Sequence, residues 1–185
     1  MLKSAIFLVD RVEYAKESQE DAQQQFSSAL DEFSQLINFD GGKLQSIYEQ
    51  LKYQFEASED STASVSGRID KVDSVAQALF NEWQQELEKY TNKTFKRDSQ
   101  RKLKDTQRRY QSLLSTMRKA ASKMDPVLSA LRDNVLYLKH NLNANTIGAL
   151  QGEFKEIKKE RNQLLSEMNN VTAESNNFIS TMQSQ

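Results

Sequence analysis

The sequence of 185 residues contains no cysteine, one histidine, one proline and five glycines. Without cysteine the chain forms no disulfide and offers no thiol chemistry. A single histidine is too few for the di-iron sites that helical bundles build from two Glu-x-x-His motifs. The glycines nowhere show the spacing of a phosphate-binding loop. We therefore expect a protein that is not an enzyme and that has no catalytic, cofactor-binding or metal-binding residues.

The net charge is close to zero, and long apolar runs are scarce. The formal net charge is −1, so the chain as a whole has no bias toward nucleic acid. The most apolar stretch near the start, MLKSAIFLVDRVE, is interrupted by Asp10 and Arg11, which makes it too short for a signal peptide or a membrane span. Only 37% of residues are apolar, which is too little for a thick globular core but enough for a narrow seam between long helices.

Apolar residues recur in alternating steps of four and three along four segments. This heptad pattern is typical of helices that pack in a coiled-coil-like manner. It predicts one domain over residues 1–185, with helices at about 5–38, 43–91, 94–141 and 145–182. The first seam is the clearest example, with Leu8, Val12, Ala15, Gln19, Ala22, Phe26, Ala29, Phe33 and Leu36.

Turn-forming residues occur where each seam stops, at residues 38–42, 90–94 and 141–145. Asn92 or Thr94 is the predicted N-cap of the third helix, and Asn145 or Thr146 that of the fourth. Pro126 lies inside the third seam without shifting its phase, so it predicts a kink and not a boundary. Because short connections join antiparallel neighbours, the predicted fold is all-α: an elongated antiparallel four-helix bundle.

Several seam positions are polar instead of apolar. When the helices are paired antiparallel about the predicted turns, these polar positions lie at similar heights along the bundle. A serine of the third helix, Ser122, lies at the same height. The resulting polar core layer is predicted to contain Gln19, Ser58, Thr62, Ser122 and Arg161. Within it, Arg161 is expected to reach Asp125, Ser58 or Gln23. Such a layer either fixes the helix register or forms a ligand or ion site.

The same pairing leaves residues 80–104 without a neighbouring first or fourth helix, so they form a protruding two-helix hairpin tip. The hairpin tip has seven basic and four acidic residues, a local charge of +3, and contains Trp83, Tyr90 and Phe95. The candidate contacts with an anionic surface are Lys93, Lys96, Arg97, Arg101, Lys102 and Lys104. The alternative is a solvated hairpin whose aromatic residues pack on one another.

Four long stretches resemble a known family: LVDRVEYAKESQEDAQQQFSSALDEF near the start, INFDGG at the first turn, RDSQRKL after the second and LRDNVLYLKHNLNA at the third. Over nearly the whole chain the sequence is similar to the bacterial domain of unknown function 2959 family. The resemblance implies a helical envelope protein of a Gram-negative bacterium, periplasmic or anchored to the outer membrane. Family members often have a signal peptide and a lipid-modified cysteine ahead of this region. Neither is in this chain, so the resemblance implies a mature or truncated form, and a cytoplasmic location stays open.

Two function classes follow from these observations. The first is a non-enzymatic scaffold or adaptor that binds a protein partner. The second is a peripheral binder of anionic membrane through the hairpin tip, with nucleic acid as a disfavoured polyanionic partner. The sequence predicts neither the partner's identity nor the oligomeric state.

Overall fold

The computed structural model describes residues 2–37, 43–141 and 143–184. In these ranges the chain forms four α-helices and no strand: α1 (Leu2–Ile37), α2 (Leu44–Leu87), α3 (Lys93–His140) and α4 (Ala144–Gln183). The predicted first turn, at residues 38–42, lies outside the described residues. The longest helix, α3, has 48 residues and spans about 72 Å at the usual helical rise. The prediction of an all-α fold with four long helices is confirmed.

The helix ends differ from the prediction at two turns. α2 ends at Leu87 and not near residue 91, because the chain turns over residues 88–92 and Asn92 caps α3. At the third turn, neither predicted residue caps α4. The cap is Asn143, whose side chain accepts a hydrogen bond from the backbone N–H of Asn145 at 3.1 Å. α3 continues through Pro126.

The four helices pack as an antiparallel bundle. Each helix lies beside two others, so that α1 and α3 both contact α2 and α4, whereas the two diagonal pairs make no close backbone contact in the described part of the chain. Lys16 on α1 donates to Asn176 on α4 at 3.1 Å, and Gln23 donates to Asn169 at 3.2 Å. Residue numbers rise on α1 as they fall on α4, as antiparallel neighbours require.

The core consists of the residues at the predicted seam positions. On α1 the eight seam positions from Leu8 to Phe33 are all at most 1% exposed. On α2 the steps of four and three continue through the buried residues Val65, Ile69, Val72, Ala76, Leu79 and Trp83. Full burial of each large apolar side chain contributes about 1.5–3 kcal/mol. The heptad spacing therefore accounts for the inward faces of these helices.

The seam loosens toward the start of α2. Leu44, Tyr48 and Phe55 are only half-buried, and Ile47 is buried in addition to the predicted Leu51. The guanidinium of Arg132 lies 5.5 Å from the centre of the Phe55 ring. Phe55 thus packs against a cation at the edge of the core and is not enclosed within it.

Candidate functional site

The hairpin tip is closed by the backbone and by one side chain. The Asn92 Oδ1 atom accepts hydrogen bonds from the backbone N–H groups of Thr94 at 3.0 Å and Phe95 at 3.1 Å. These bonds satisfy donors that the first turn of α3 leaves without helical partners. On the other side of the turn, the N–H of Lys89 donates to the carbonyl of Glu86 at 3.0 Å. The turn therefore has a defined geometry that orients the residues around it.

The aromatic residues of the hairpin tip divide into two groups. Trp83 is buried, and its Nε1–H donates to the hydroxyl of Ser99 at 2.9 Å, which ties α2 to α3. Leu87 and Leu103 close this part of the core. By contrast, Tyr90 is 43% exposed and Phe95 is 62% exposed. Trp83 thus belongs to the core of the bundle, whereas Tyr90 and Phe95 lie on its surface.

Some basic side chains of the hairpin tip have acidic partners. Lys96 lies 3.3 Å from a carboxylate oxygen of Glu88, and Arg101 and Lys102 both pair with Asp98, the latter at 3.2 Å. The hydrogen bond from Lys102 lowers the pKa of the Asp98 carboxyl, desolvation opposes this, and the charges of Lys102 and Arg101 lower the pKa further. These pairs are exposed to solvent and contribute little to stability.

The other candidate cations at the hairpin tip, Lys93, Arg97 and Lys104, have no carboxylate within 4 Å among the described residues. Arg97 and Lys104 lie with Arg101 and Arg108 along a shallow groove on the outer face of α3. The structure thus brings together part of the predicted surface, with three cations that are open to an external anion.

The five residues of the predicted polar core layer differ in burial. Gln19 and Ser58 are buried, Thr62 and Arg161 are half-buried, and the side chain of Ser122 is exposed. Ser122 therefore does not belong to the core, because the buried face of α3 at this height passes through Ala120 and Met124.

Most of these polar groups are satisfied within their own helix. The hydroxyls of Ser58, Thr62 and Ser122 donate to carbonyls of the preceding turn, at 2.8, 2.9 and 2.7 Å. Such local bonds are usual for serine and threonine in helices. Nothing in this set of contacts forms a ligand site.

Arg161 pairs with a different residue from those expected. Its Nη1 atom lies 3.5 Å from the Asp31 carboxylate on α1, and its Nε atom is buried without a hydrogen-bond partner among the described residues. Gln23, one of the expected partners, instead bonds to Asn169. Arg161 thus lies at the edge of the α1/α4 contact and not in an internal network.

Ser175 is a second polar residue of the core, outside the predicted polar core layer. Ser175 on α4 is fully buried, and its hydroxyl has no partner among the described residues. Gln19 donates to the carbonyl of Met117 at 3.4 Å, while its Oε1 atom also lacks a partner there. Because Lys16 bonds to Asn176 and Gln23 to Asn169, Gln19 and Ser175 lie at nearly the same height. Both are polar residues at seam positions, which is the sequence signal for each of them, but the register between α1 and α4 that brings them together is seen only in the structure.

The tyrosine at position 110 of α3 is a further polar residue of the core. Tyr110 is 0% exposed, and its hydroxyl donates to the carboxylate of Asp73 on α2. Arg118 lies 3.6 Å from the other Asp73 oxygen. Burial, followed by the hydrogen bond and negative charge of Asp73, raises the pKa of Tyr110 well above its ordinary value. The antiparallel pairing of α2 and α3 would have placed these two residues level with each other.

The described helices contain neither a membrane span nor a metal-binding cluster. None of these helices has an apolar stretch long enough to cross a membrane. Nor do the described residues contain a cluster of three or more histidine, aspartate or glutamate side chains with the geometry of a metal site.

Comparison with known proteins gives one match. No curated protein and no solved structure matches the chain. The model of the family described as protein of unknown function (DUF2959) matches residues 3–182, which takes in all four helices and the hairpin tip. The chain therefore belongs to the DUF2959 family.

Proposed function

We propose that this protein is a non-enzymatic, elongated helical scaffold or adaptor of the cell envelope, on the periplasmic side or anchored to the outer membrane. The envelope location rests on the resemblance to envelope-associated family members. The role of a scaffold rests on the bundle, whose long helices carry exposed aromatic and basic side chains at one end.

The observation that carries this proposal is the change in burial along α2 and α3. From Val65 to Leu87 the seam of α2 is buried, but residues 88–95 are all exposed. Ser4, close to the start of α1, donates to Glu82 at 2.6 Å, which places that helix end just below the turn. Because α1 reaches Glu82, the prediction that residues 80–104 have no first helix beside them is wrong for the end of α2, and the exposed part of the hairpin tip is residues 88–95. Exposed aromatic side chains are enriched at protein interfaces, so Tyr90 and Phe95 suit a protein partner.

The elongated shape has its own measurement. A globule of this length has a radius of gyration of about 16 Å, whereas a bundle with coiled-coil-like packing over helices of about 54–72 Å gives a clearly larger value. Small-angle scattering of the purified chain tests this directly, and a value near that of a globule would contradict the elongated bundle.

The adaptor role is tested by site-specific photo-crosslinking in envelope extracts. We place the crosslinking residue at Phe95 and, as the control, at Tyr53, which is 68% exposed and about 50 Å away along α2. A discrete protein captured from Phe95 and not from Tyr53 supports the proposal. The same set of proteins from both positions, or none from Phe95, contradicts it.

A second candidate function is binding of an anionic membrane surface through the hairpin tip. The observation in its favour is that Lys93, Arg97 and Lys104 have no acidic partner among the described residues, while Phe95 is open to solvent. Each basic residue near an anionic surface contributes about 1 kcal/mol, and the attraction fades within about 8–10 Å at physiological salt. A local charge of +3 therefore supports weak binding that depends on salt.

Vesicle co-sedimentation tests this candidate. We expect the chain to bind anionic vesicles weakly, to dissociate by about 0.5 M salt, and to lose binding on the combined change Lys96→Glu, Arg97→Glu and Arg101→Glu. The matched control reverses three cations elsewhere: Lys52→Glu, Lys155→Glu and Lys159→Glu. Equal loss in both triple variants, or no binding at low salt, would exclude the hairpin tip as a membrane contact. A much steeper salt dependence with DNA than with vesicles would instead indicate a nucleic-acid partner.

A further inference from the structure

A groove with a basic lining runs between α1 and α2, away from the hairpin tip. Its volume is about 460 Å³, and it is lined by Arg11, Tyr14, Ser64, Gly67, Arg68 and Lys71. Arg68 is twenty residues from the start of the turn at Glu88, which corresponds to about 30 Å along α2. The groove is therefore a surface separate from the hairpin tip.

The ring of Tyr14 brings two arginines together. The guanidinium of Arg68 lies 5.4 Å from the ring centre and that of Arg11 lies 5.9 Å from it. Arg68 also crosses the groove to donate from Nη1 to the backbone carbonyl of Tyr14 at 3.3 Å. Both contacts are attractive and restrict where the guanidinium groups lie. Two groups of like charge are thus held close to one aromatic ring.

Within the described part of the chain, no acidic side chain forms an ion pair with the cations of this groove. Five other arginines of the chain form ion pairs: Arg101, Arg108, Arg118, Arg132 and Arg161. In contrast, Arg11, Arg68 and Lys71 have no carboxylate within 4 Å among the described residues. An anion from outside would reduce the repulsion among these cations further than solvent does, because no acidic residue lines the groove.

The groove also has open space and hydrogen-bond donors. A Cβ atom added at Gly67 would meet no atom within 4 Å, so the wall of the groove is open at this point. The planar fork of arginine matches the oxygens of a phosphate group, to which it donates two parallel hydrogen bonds. Lysine adds a compact charge, and the hydroxyl of Ser64 adds a further donor.

We propose that this groove binds a phosphate-type oxyanion, held between Arg11, Arg68 and Lys71. The phosphate group belongs either to a small soluble phosphoryl compound or to a lipid headgroup, which have the same recognition chemistry. The proposal is independent of the hairpin tip, because it rests on other residues and on another pair of helices.

Calorimetric titration of the whole chain with inorganic pyrophosphate at low salt tests binding to the soluble form. Each charge-assisted hydrogen bond that is lost weakens binding by about tenfold or more. We therefore expect the double change Arg11→Gln and Arg68→Gln to raise Kd at least tenfold. The control, Arg97→Gln with Arg101→Gln at the hairpin tip, removes the same charge and leaves Kd within about twofold. Lys71→Gln, which removes no contact with the Tyr14 ring, raises Kd by a smaller factor.

The second arm uses phosphatidylcholine vesicles with and without phosphatidic acid. If the Arg11→Gln, Arg68→Gln variant loses pyrophosphate binding and the hairpin-tip control keeps it, the ligand is a soluble phosphoryl compound. If the groove variant instead loses only the binding to vesicles that contain phosphatidic acid, the ligand is a lipid headgroup. Absence of binding in both arms, or equal weakening by the groove and hairpin-tip variants, overturns the proposal. Circular dichroism of each variant must match the wild type, so that the difference reports the groove and not the fold.

Discussion

Replacing Tyr110 with phenylalanine removes one hydroxyl from the core and leaves the packing of the ring in place. The ring of Tyr110 makes edge contacts with Phe80, at a centroid distance of 5.5 Å, and with Phe178, at 6.5 Å. Phenylalanine keeps both contacts. The change therefore isolates the hydrogen bond from Tyr110 to the Asp73 carboxylate.

The size of the effect follows from the surroundings of Asp73. A hydrogen bond to a charged group contributes about 1.5–3 kcal/mol. Asp73 is 32% exposed and keeps its ion pair with Arg118 after the change, so water replaces part of the lost interaction. We expect Tyr110→Phe to lower the free energy of unfolding by about 1–2 kcal/mol at neutral pH, measured by urea denaturation.

The raised pKa of Tyr110 makes this difference depend on pH. Below a pH of about 10, tyrosine is protonated in both the folded and the unfolded state, so the hydrogen bond contributes fully. Above it, the unfolded state loses the proton while the buried Tyr110 keeps it. The unfolded state then binds fewer protons, so stability falls as pH rises, by up to about 1.4 kcal/mol per pH unit. The phenylalanine variant lacks this loss, and the gap between the two proteins narrows as pH rises above 10.

Ultraviolet absorbance of tyrosinate gives a second readout. The chain has six tyrosines, and the difference between the titrations of wild type and Tyr110→Phe reports the buried one. We expect that difference to appear only as helix content is lost at high pH. A Tyr110 that ionises while the helices remain intact, or a variant as stable as wild type at neutral pH, would refute the reasoning from burial and hydrogen bonding.

Four further changes are expected to alter stability, each measured by urea denaturation at neutral pH. Ser175→Ala removes a buried hydroxyl without a partner among the described residues and should raise the free energy of unfolding by about 1 kcal/mol; a loss of stability would reveal a partner. Asn92→Ala removes the cap of α3 and should cost about 0.5–2 kcal/mol. Gly152→Ala lies in the interior of α4, where a Cβ meets no atom within 4 Å, and should add up to about 1 kcal/mol. Arg161→Leu exchanges an ion pair with the exposed Asp31, worth about 0–1 kcal/mol, for an apolar seam residue; it should be neutral or stabilising, and a severe loss would show that the arginine is required.

The inward faces of the helices could be predicted because they depend on spacing alone. Heptad steps from Leu8 to Phe33 select the side of α1 that is buried, whatever the neighbouring helices are. On α2 the same steps extend to Trp83, which is buried, and fail at the next position, Tyr90, because α2 ends at Leu87. The N-cap of α4 was not predictable in this way, since asparagines at 141, 143 and 145 are equally suitable by type. Tertiary contacts at the turn decide among them.

Register between α1 and α4 was the weakest prediction, for a geometric reason. No turn joins these helices directly, so their relative height depends on three successive turns and on the tilt of every helix. Arg161 was expected level with Gln23, but it pairs with Asp31, eight residues further along α1. That difference is about 12 Å. An error of two turns moves a polar side chain to another neighbour without changing which face is buried, so the buried faces follow from spacing alone, whereas the partner of Arg161 does not.

The charge of the hairpin tip has no explanation in the folding of the bundle. Its ion pairs are exposed and contribute little to stability, and Lys93, Arg97 and Lys104 make none among the described residues. The net charge of the whole chain is −1 and that of residues 80–104 is +3, so the remaining residues together have a charge of −4. In the second candidate function proposed above, an anionic surface would attract the hairpin tip more strongly than the rest of the bundle taken together. Because the tip lies at one end of the helices, that surface would favour a bundle that stands with the turn of α2 and α3 toward it.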